Sequence, residues 1–267
     1  MPNRLISISN ILLLILILFC AYFQILSPQK FSTVNDLCQD YLSVSWLRLN
    51  QPAYQLFSHT QCQIKSKSLP TQYNAHPPTS LIFFYPLSFT SLQKATSYWD
   101  IFSVITYFIS LIILLIISKT YSFRLLAIVF CLSTIWITIN LNYAVRNLSL
   151  LILLLTSLSV AGLIHKKYFA VGFLIGIATL IKLWPVIFII PILVYPRYYK
   201  VLVSLSLTII SIVVITIGLF GFTVFSDYFF KVIPYEKIFS NYPNNNSFTS
   251  SITKVFRGVD PHRYPPL

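Results

Sequence analysis

Apolar runs separated by short basic turns constrain this chain more than any other feature of its sequence. The first run, residues 5–26, is long enough to cross a bilayer, which takes about 20 apolar residues. No small-residue cleavage motif follows it, so we interpret it as an uncleaved span rather than a signal peptide. Further spans are predicted at residues 101–118, 125–141, 148–164, 169–181, 183–195 and 201–225.

Composition supports a chain that is embedded in lipid. Charged residues make up 9% of the sequence, whereas soluble domains contain about 25%. The formal net charge is +13, but the cations are scattered in ones and twos between apolar runs and form no basic stripe interleaved with aromatics. We therefore predict an all-α integral membrane protein whose electrostatic partners are membrane lipids and not nucleic acid.

The cysteines and histidines do not have the spacing of metal ligands. No metal and no other cofactor is therefore predicted. Cys38 and Cys62 share one polar loop, where a disulfide would form if the outer compartment is oxidising. Two unpaired thiols are equally compatible with the sequence.

The positive-inside rule orients the predicted spans. With a cytoplasmic N-terminus, the acidic residues all fall on the outer side. The turns that become cytoplasmic are short and basic and contain Lys119 with Arg124, His165 to Lys167, and Arg197 with Lys200. We predict about seven crossings in one membrane domain over residues 1–267, as a multi-pass protein of the cell membrane. A large outer loop covers residues 27–96 and an outer tail covers residues 226–267.

This orientation requires a hairpin in the middle of the chain. One long helix over residues 169–195 would invert the last basic turn, so we predict two arms, residues 169–181 and 183–195, although each is short for a crossing. Lys182 then lies at the outer tip and not at the bilayer centre, where a lysine costs at least about 2.5 kcal/mol. Two interpretations of Lys182 remain open: it snorkels to water, or it binds an anion carried by a lipid.

The outer loop contains two short apolar segments and a pair of acids. Residues 41–49 and 81–89 are too short to cross a bilayer and are predicted to be interfacial helices. Asp36 and Asp40 lie four residues apart and share one face if their segment is helical. Paired acids can mark glycoside hydrolysis. On spacing alone, however, solvated loop charges are the simpler interpretation.

Four motifs follow one another along the chain. They are Asp36-Leu37 with Tyr41 and a closing Pro52-Ala53-Tyr54, His76-Pro77-Pro78 with Pro86-Leu87, Gly172 to Gly176 with Lys182-Leu183-Trp184-Pro185, and Asn245-Asn246-Ser247-Phe248. Their succession resembles the polyprenol-phosphate-sugar-dependent glycosyltransferases of the GT-C fold, and among these the family 87, mannosyltransferase-like membrane proteins. Asn50 stands where that family has a glycine, and Val145-Arg146-Asn147 replaces its Gly-Gln-x-Asn pattern. The family continues for several more spans, so we expect this chain to be a partial product.

The resemblance implies a GT-C-like helical bundle with a transferase activity. The enzyme would move a hexose, such as mannose, from a polyprenyl-phosphate donor to a lipid or glycan acceptor on the extracytoplasmic face, by inverting single displacement. Such a donor already carries a good leaving group. One carboxylate therefore suffices as general base, and one cation should stabilise the departing phosphate.

These roles fall on particular residues by the same resemblance. Asp36 is the first choice for the base, and Asp40 either shares that role, orients the acceptor, or raises the pKa of Asp36 by like-charge coupling. Lys182 and Arg146 are predicted to bind the donor phosphate. Substrate-binding roles are predicted for Tyr41, Tyr54, His76, Asn245 and Ser247.

Two other interpretations stay open. A transporter or lipid-binding protein without catalysis could also place an isolated charge at a broken helix. Against a transporter, the spans show no internal repeat and acids cluster in one outer loop. An inactive remnant of a transferase is the third possibility.

Overall fold

The computed structural model describes residues 14–20, 22, 36–57, 73–119, 122–135, 146–194 and 198–236. Within these ranges the chain is built from helices and their connections. Residues 14–20 and 22 are helical. From Asp36 onward the α-helices of the described ranges are α1 Asp36–Arg48, α2 Leu81–Phe84, α3 Leu92–Ile117, α4 Phe123–Ile135, α5 Ser149–Ile164, α6 Tyr168–Ile181, α7 Ile189–Val194, α8 Tyr199–Phe220, α9 Thr223–Asp227 and α10 Ile233–Glu236. Shorter 3₁₀ segments are Pro78–Ser80, Tyr85–Phe89 and Trp184–Phe188, and Tyr228–Val232 is a π-helical turn.

Two of the described helices are long and apolar enough to cross a membrane. α3 has 26 residues and α8 has 22, and an 18-residue stretch of each has a mean hydropathy of 2.5 in α3 and 2.6 in α8. Both expose rows of large aliphatic side chains, such as Ile105 and Ile109 on α3 and Leu207 and Ile210 on α8. Rows of this kind suit contact with lipid rather than water. The chain is therefore a membrane-associated helical protein, while seven crossings remain a prediction.

Helices α6 and α8 pack in parallel at very short range. A Cβ atom added at Gly172 would lie 2.2 Å from the Val201 carbonyl oxygen, and one at Gly176 would lie 2.9 Å from Thr208 Cβ. Because the contacts advance in the same direction along both helices, the helices are parallel. Small residues four apart allow this close backbone approach.

The chain turns back after Lys182 because α6 and α8 run in the same direction. Lys182 leaves the helix with φ −143° and ψ 139°. The chain then returns toward the start of α6 through the segment Trp184–Phe188 and α7. Ile189 packs against the cluster of Val171, Ile175, Val201 and Leu205 that joins α6 to α8. Lys182 is thus at the opposite end of α6 from the basic turn at His165 to Lys167.

Two helices have ends that differ from the predicted spans that they contain, each for a local reason. The helix that contains the predicted span 101–118 begins at Leu92, since the Ser91 hydroxyl accepts a hydrogen bond from the Lys94 N–H and caps the polar first turns. The helix that contains most of the predicted span 201–225 ends at Phe220, because Gly221 adopts φ 80°, a left-handed value that terminates helices.

The two short apolar segments of the outer loop are helical, as expected. The predicted segment 41–49 is part of α1, and segment 81–89 is α2 followed by the 3₁₀ segment Tyr85–Phe89. α1 begins earlier than its apolar residues, at Asp36, where an acid in the first turn suits the positive end of the helix dipole. The predicted first span and outer tail fall mainly outside the described residues.

Candidate functional site

Helix α1 brings the two acids of the outer loop onto one face. Asp36 and Asp40 lie one turn apart. Asp40 contacts Asn74 and His76, and Asp36 is close enough to His76 for that charge to act on its pKa. Cys38 lies between them in sequence, is fully buried and is disulfide-bonded. Its predicted partner, Cys62, lies outside the described residues. A covalent link next to both acids restricts the motion of α1.

Asp40 is fully buried and has a full set of hydrogen-bond partners. His76 Nδ1 lies 2.8 Å from Asp40 Oδ2 and 3.0 Å from Oδ1. Asn74 Nδ2 donates to Asp40 Oδ1 at 3.0 Å and is 3.1 Å from Ser43 Oγ. An ionised carboxylate only accepts hydrogen bonds, so Nδ1 of His76 carries a proton in this pair. The neutral Nδ1–H tautomer can also donate this bond, so the contact is a buried ion pair when both ring nitrogens of His76 are protonated, a form that the Asp40 charge favours by raising the pKa of His76.

The backbone beside His76 is held by two tyrosines. The Tyr54 hydroxyl donates to the His76 carbonyl oxygen at 2.8 Å, and the Tyr228 hydroxyl donates to the Ala75 carbonyl oxygen at 3.4 Å. The two rings lie 5.5 Å apart. Farther along, Thr79 Oγ1 donates to the carbonyl oxygen of Leu180, near the end of α6, at 2.6 Å. The His76 segment thus connects α1 with the end of α6 that carries Lys182.

Lys182 is held by neutral groups. Its Nζ donates to Asn147 Oδ1 at 3.1 Å and to Ser149 Oγ at 3.4 Å. Both partners lie at the start of α5, and Asn147 Oδ1 also accepts from the Ser149 backbone N–H at 2.7 Å. In the described part of the chain no carboxylate forms an ion pair with Lys182. One of its three N–H donors is left for another acceptor.

Asp36 has fewer partners than Asp40. Gln39 Nε2 donates to Asp36 Oδ1 at 3.2 Å, and its Oδ2 makes no hydrogen bond within the described ranges. Burial raises the pKa of Asp36, the Asp40 charge adds to that, and His76 and Lys182 act in the opposite direction. Asp36 thus combines a raised pKa with a carboxyl oxygen that no group in the described ranges occupies.

The surroundings shift the pKa values of His76 and Lys182 in opposite directions. Burial disfavours the charged form of His76, but the charge of Asp40 and its hydrogen bond outweigh this and raise the pKa of His76. Burial lowers the pKa of Lys182, while the charges of Asp36 and Asp40 act against that. These mutual effects place the four side chains in one electrostatic cluster, which we call the acid–lysine cluster: Asp36, Asp40, His76 and Lys182.

Arg146 is not part of the acid–lysine cluster. Its Nε donates to Asp100 Oδ1 at 2.9 Å and one terminal nitrogen donates to Asp100 Oδ2 at 3.1 Å. Both side chains of this pair are 5% exposed. A bidentate pair of this kind joins the start of α5 to the N-terminal part of α3. This ion pair is sufficient to explain why Arg146 is buried. The contact of Arg146 with the donor phosphate stays a prediction.

The other predicted residues divide into two groups. Tyr41 and Tyr54 use their hydroxyls on backbone carbonyl oxygens, of Thr90 at 2.7 Å and of His76, so the structure gives both tyrosines a positioning contact. Asn245 and Ser247 lie outside the described residues. Neither Asn74 nor Ser149 was predicted from the sequence as a site residue. Asn147 entered only as part of a motif that departs from the family pattern.

An apolar cavity of about 290 Å³ lies beside the start of α5. Its wall includes Trp99 and Phe102 of α3, Phe83 and Leu87, and Leu151 of α5. Leu151 is close in sequence to Ser149, the partner of Lys182. The cavity is therefore an apolar compartment next to the helix end that holds the lysine.

The comparisons with known proteins give one match. The sequence model of glycosyltransferase family 87 matches residues 74–261, well over half of the chain. This range includes His76 and Lys182 but not Asp36 or Asp40. No curated protein and no solved structure matches the chain.

Proposed function

The chain belongs to glycosyltransferase family 87, and from that premise we propose that it moves a hexose from a polyprenyl-phosphate donor to a lipid or glycan acceptor. One observation carries the proposal. Within the acid–lysine cluster, a carboxylate with an unused oxygen and a lysine held only by neutral groups share one end of the helical bundle. A base and a cation are the two groups that this reaction requires.

Asp36 is the proposed general base. Its Oδ2 takes the proton of the acceptor hydroxyl while that oxygen attacks the anomeric carbon of the donor. The bond from the anomeric carbon to the phosphate oxygen breaks in the same step, so the configuration inverts. The phosphate leaves with the electron pair, and no acid is needed to protonate it. The raised pKa of Asp36 makes it a stronger base than an ordinary aspartate.

Lys182 is the proposed partner of the departing phosphate. Asn147 and Ser149 orient its ammonium group without neutralising it, so its charge and its remaining N–H are available to an anion. Charge that develops on the leaving oxygen is stabilised by a cation already in place. The apolar cavity beside Leu151 and Trp99 suits the first isoprene units of the donor.

Asp40 and His76 are proposed to fix the base. His76 and Asn74 already occupy the Asp40 carboxylate, which leaves Asp36 as the carboxylate of this pair with an oxygen open to the acceptor. The His76 charge favours the ionised form of Asp36, the form that acts as a base. His76 was expected to bind substrate, and we now propose that it acts through Asp36 instead.

We propose the extracytoplasmic face for the reaction. Lys182 and the basic turn at His165 to Lys167 lie at opposite ends of α6. If the basic turn is cytoplasmic, as the positive-inside rule requires, the acid–lysine cluster is on the outer side.

The test is transfer of radiolabelled sugar from polyprenyl-phosphate donors in membranes that contain the chain. We expect transfer with the wild type. Lys182→Met should raise the KM for the donor and lower the rate, since it keeps the length of the side chain but removes the charge. Lys94→Met is the matched control, because Lys94 is an exposed lysine at the start of α3. Wild-type kinetics in Lys182→Met would contradict the role of the lysine.

A further inference from the structure

A second cavity, of about 510 Å³, opens where the end of α1 meets the junction of α8 and α9. Its polar wall includes Asn50, Gln51 and Asp227, and two aromatic side chains, Tyr85 and Phe220, form another part of the wall. The rings of Tyr85 and Phe220 lie 5.4 Å apart. The site described above uses none of these side chains.

The chemistry of this wall selects a class of ligand. Amide groups of Asn50 and Gln51 both donate and accept hydrogen bonds, and the Asp227 carboxylate accepts them. Lys231 is half exposed and already lies 2.7 Å from Asp227, and Arg48, at the end of α1, lies over the Phe89 ring. Neither cation is part of the cavity wall, and Asp227 is the one charged side chain among the described residues that form it. A phosphate would therefore meet a carboxylate and no cation in the wall. A neutral ligand with many hydroxyls and apolar C–H faces suits the amides, the carboxylate and the rings together.

Backbone hydrogen bonds at the end of α1 fix the positions of Asn50 and Gln51. Asn50 adopts φ 57°, a left-handed conformation that asparagine tolerates better than most residues. Its N–H donates to the Leu47 carbonyl oxygen at 3.0 Å, and the Gln51 N–H donates to that of Trp46 at 2.8 Å. These bonds close the helix C-terminus and hold both residues at the rim of the cavity.

Two tyrosines separate this cavity from the acid–lysine cluster. Ala53 and Asp227 line the cavity, and the residues that follow them, Tyr54 and Tyr228, form the ring pair described above. The hydroxyls of that pair bond the backbone at Ala75 and His76. The charges of Asp40 and of Asp227 both act on the Tyr54 hydroxyl, so a ligand in the cavity is one tyrosine side chain away from the side of the cluster that holds Asp40 and His76.

We infer that this cavity binds the sugar units of a glycan acceptor that lie beyond the unit whose hydroxyl reacts at Asp36. The inference rests on the proposed function, and it narrows the acceptor from a lipid or glycan to a glycan of at least two units. The Asp227 carboxylate and the amide of Asn50 bind hydroxyls of the acceptor, and the Tyr85 ring packs against a sugar face.

The kinetic test uses two synthetic acceptors, decyl mannoside and decyl mannotrioside, with a polyprenyl-phosphate mannose donor. We expect the wild type to have a lower KM for the trisaccharide. Asp227→Asn and Asn50→Ala should each raise that KM about tenfold, as expected for loss of one hydrogen bond that involves a charged or buried polar group. The KM for the monosaccharide and for the donor should not change. Lys94→Met again serves as the matched control.

The outcomes separate this inference from the proposed function. Equal KM values for the two acceptors in the wild type, or variants that affect both acceptors alike, would overturn the glycan site while transfer itself still stands. If no transfer occurs, saturation-transfer NMR of free mannotriose with the detergent-solubilised protein tests the cavity without catalysis. Contact in the wild type that is lost in both variants supports the site, and no contact in the wild type refutes it.

Discussion

Asp36 and Asp40 are one helical turn apart, yet their surroundings differ enough to predict different effects of mutation. Asp36→Asn keeps size and polarity but removes the proton acceptor, so transfer should fall by roughly 10²-fold or more. Donor binding should be largely retained, because Lys182 is unchanged. Single-turnover rates and donor binding in the same membranes measure both quantities. If Asp40→Asn were the more damaging change to the chemical step, Asp40 would be the base.

The Asp40–His76 pair should stabilise the fold as well as the site. Asp40→Ala leaves the Nδ1–H of His76 and the amide of Asn74 buried without their acceptor, which costs about 1–3 kcal/mol for each group. Burial then favours the neutral form of His76, because the Asp40 charge no longer opposes it. The combined variant Asp40→Ala with His76→Leu should be less destabilised than Asp40→Ala alone, because the unsatisfied histidine donor is gone. Thermal unfolding in detergent of the two single variants and the double variant gives the coupling. Additive effects would mean that the two side chains do not stabilise each other.

The pH–rate profile should have two limbs set by the acid–lysine cluster. Asp36 acts as a base only when ionised, and its pKa is raised, so the rate should rise with pH at values above the range of an ordinary aspartate. Lys182 acts only when charged, and its pKa is lowered, so the rate should fall at a lower pH than for an ordinary lysine.

Lys182→Arg separates the contributions to the alkaline limb. Arginine stays charged over this range, so the variant should keep part of the activity, retain the acidic limb and lose the alkaline limb. An alkaline limb that persists in Lys182→Arg would assign it to His76, whose pKa is raised.

Residue types and spacing predicted the acids and the lysine of the acid–lysine cluster, but they did not predict the side chains that form hydrogen bonds with them. Asp36 and Asp40 share a face because four residues make about one helical turn, which is a local property. Asn74 reaches Asp40 across 34 positions and Lys182 reaches Asn147 across 35. Such contacts depend on how helices pack, which a single sequence does not show. The pairing of Arg146 with Asp100 was missed for the same reason.

The close contact between α6 and α8 gives a prediction for one element pair. Gly172→Ala puts a methyl group against the Val201 carbonyl and the Ser204 side chain, with no room for it. The expected loss of stability is about 1–3 kcal/mol, the usual effect of overpacking. Gly218→Ala is the control, because an added Cβ there meets nothing within 4 Å. Thermal unfolding in detergent should show a lower Tm for Gly172→Ala only.

Helices were easier to predict than the ends of helices. Predicted spans 148–164 and 169–181 differ from α5 and α6 by one residue at most, because apolar runs there stop at basic turns. α3 begins before the predicted span 101–118, since its first turns contain Lys94, Ser97 and Asp100, which lower the hydropathy of that part of the helix. The Ser91 cap sets the first residue of α3. Such a cap contributes little to a hydropathy average taken over many residues, so the average does not reveal where the helix begins.

Orientation is a property of the whole molecule that labelling can measure. In a background with Cys20→Ala and Cys131→Ala, we expect an impermeant thiol reagent to label Lys94→Cys in intact cells. Lys167→Cys should react only after the membrane is permeabilised, because it lies in a basic turn. Both positions are exposed on the protein surface. The reverse pattern would place the acid–lysine cluster on the cytoplasmic face and contradict the proposed location of the reaction.

The parallel packing of α6 and α8 also sets an order of events while the protein is made. The ribosome releases α6 before Val201 and Thr208, the residues against which Gly172 and Gly176 pack. Lys182 already has its partners at that point, because Asn147 and Ser149 precede it in the chain. Until α8 is made, however, the small-residue side of α6 has no packing partner. A nascent chain therefore passes through a stage in which that side of α6 is uncovered. Insertion factors and membrane proteases act at such a stage, so mutations along α8 should lower the amount of protein in the cell before they affect turnover by the molecules that mature.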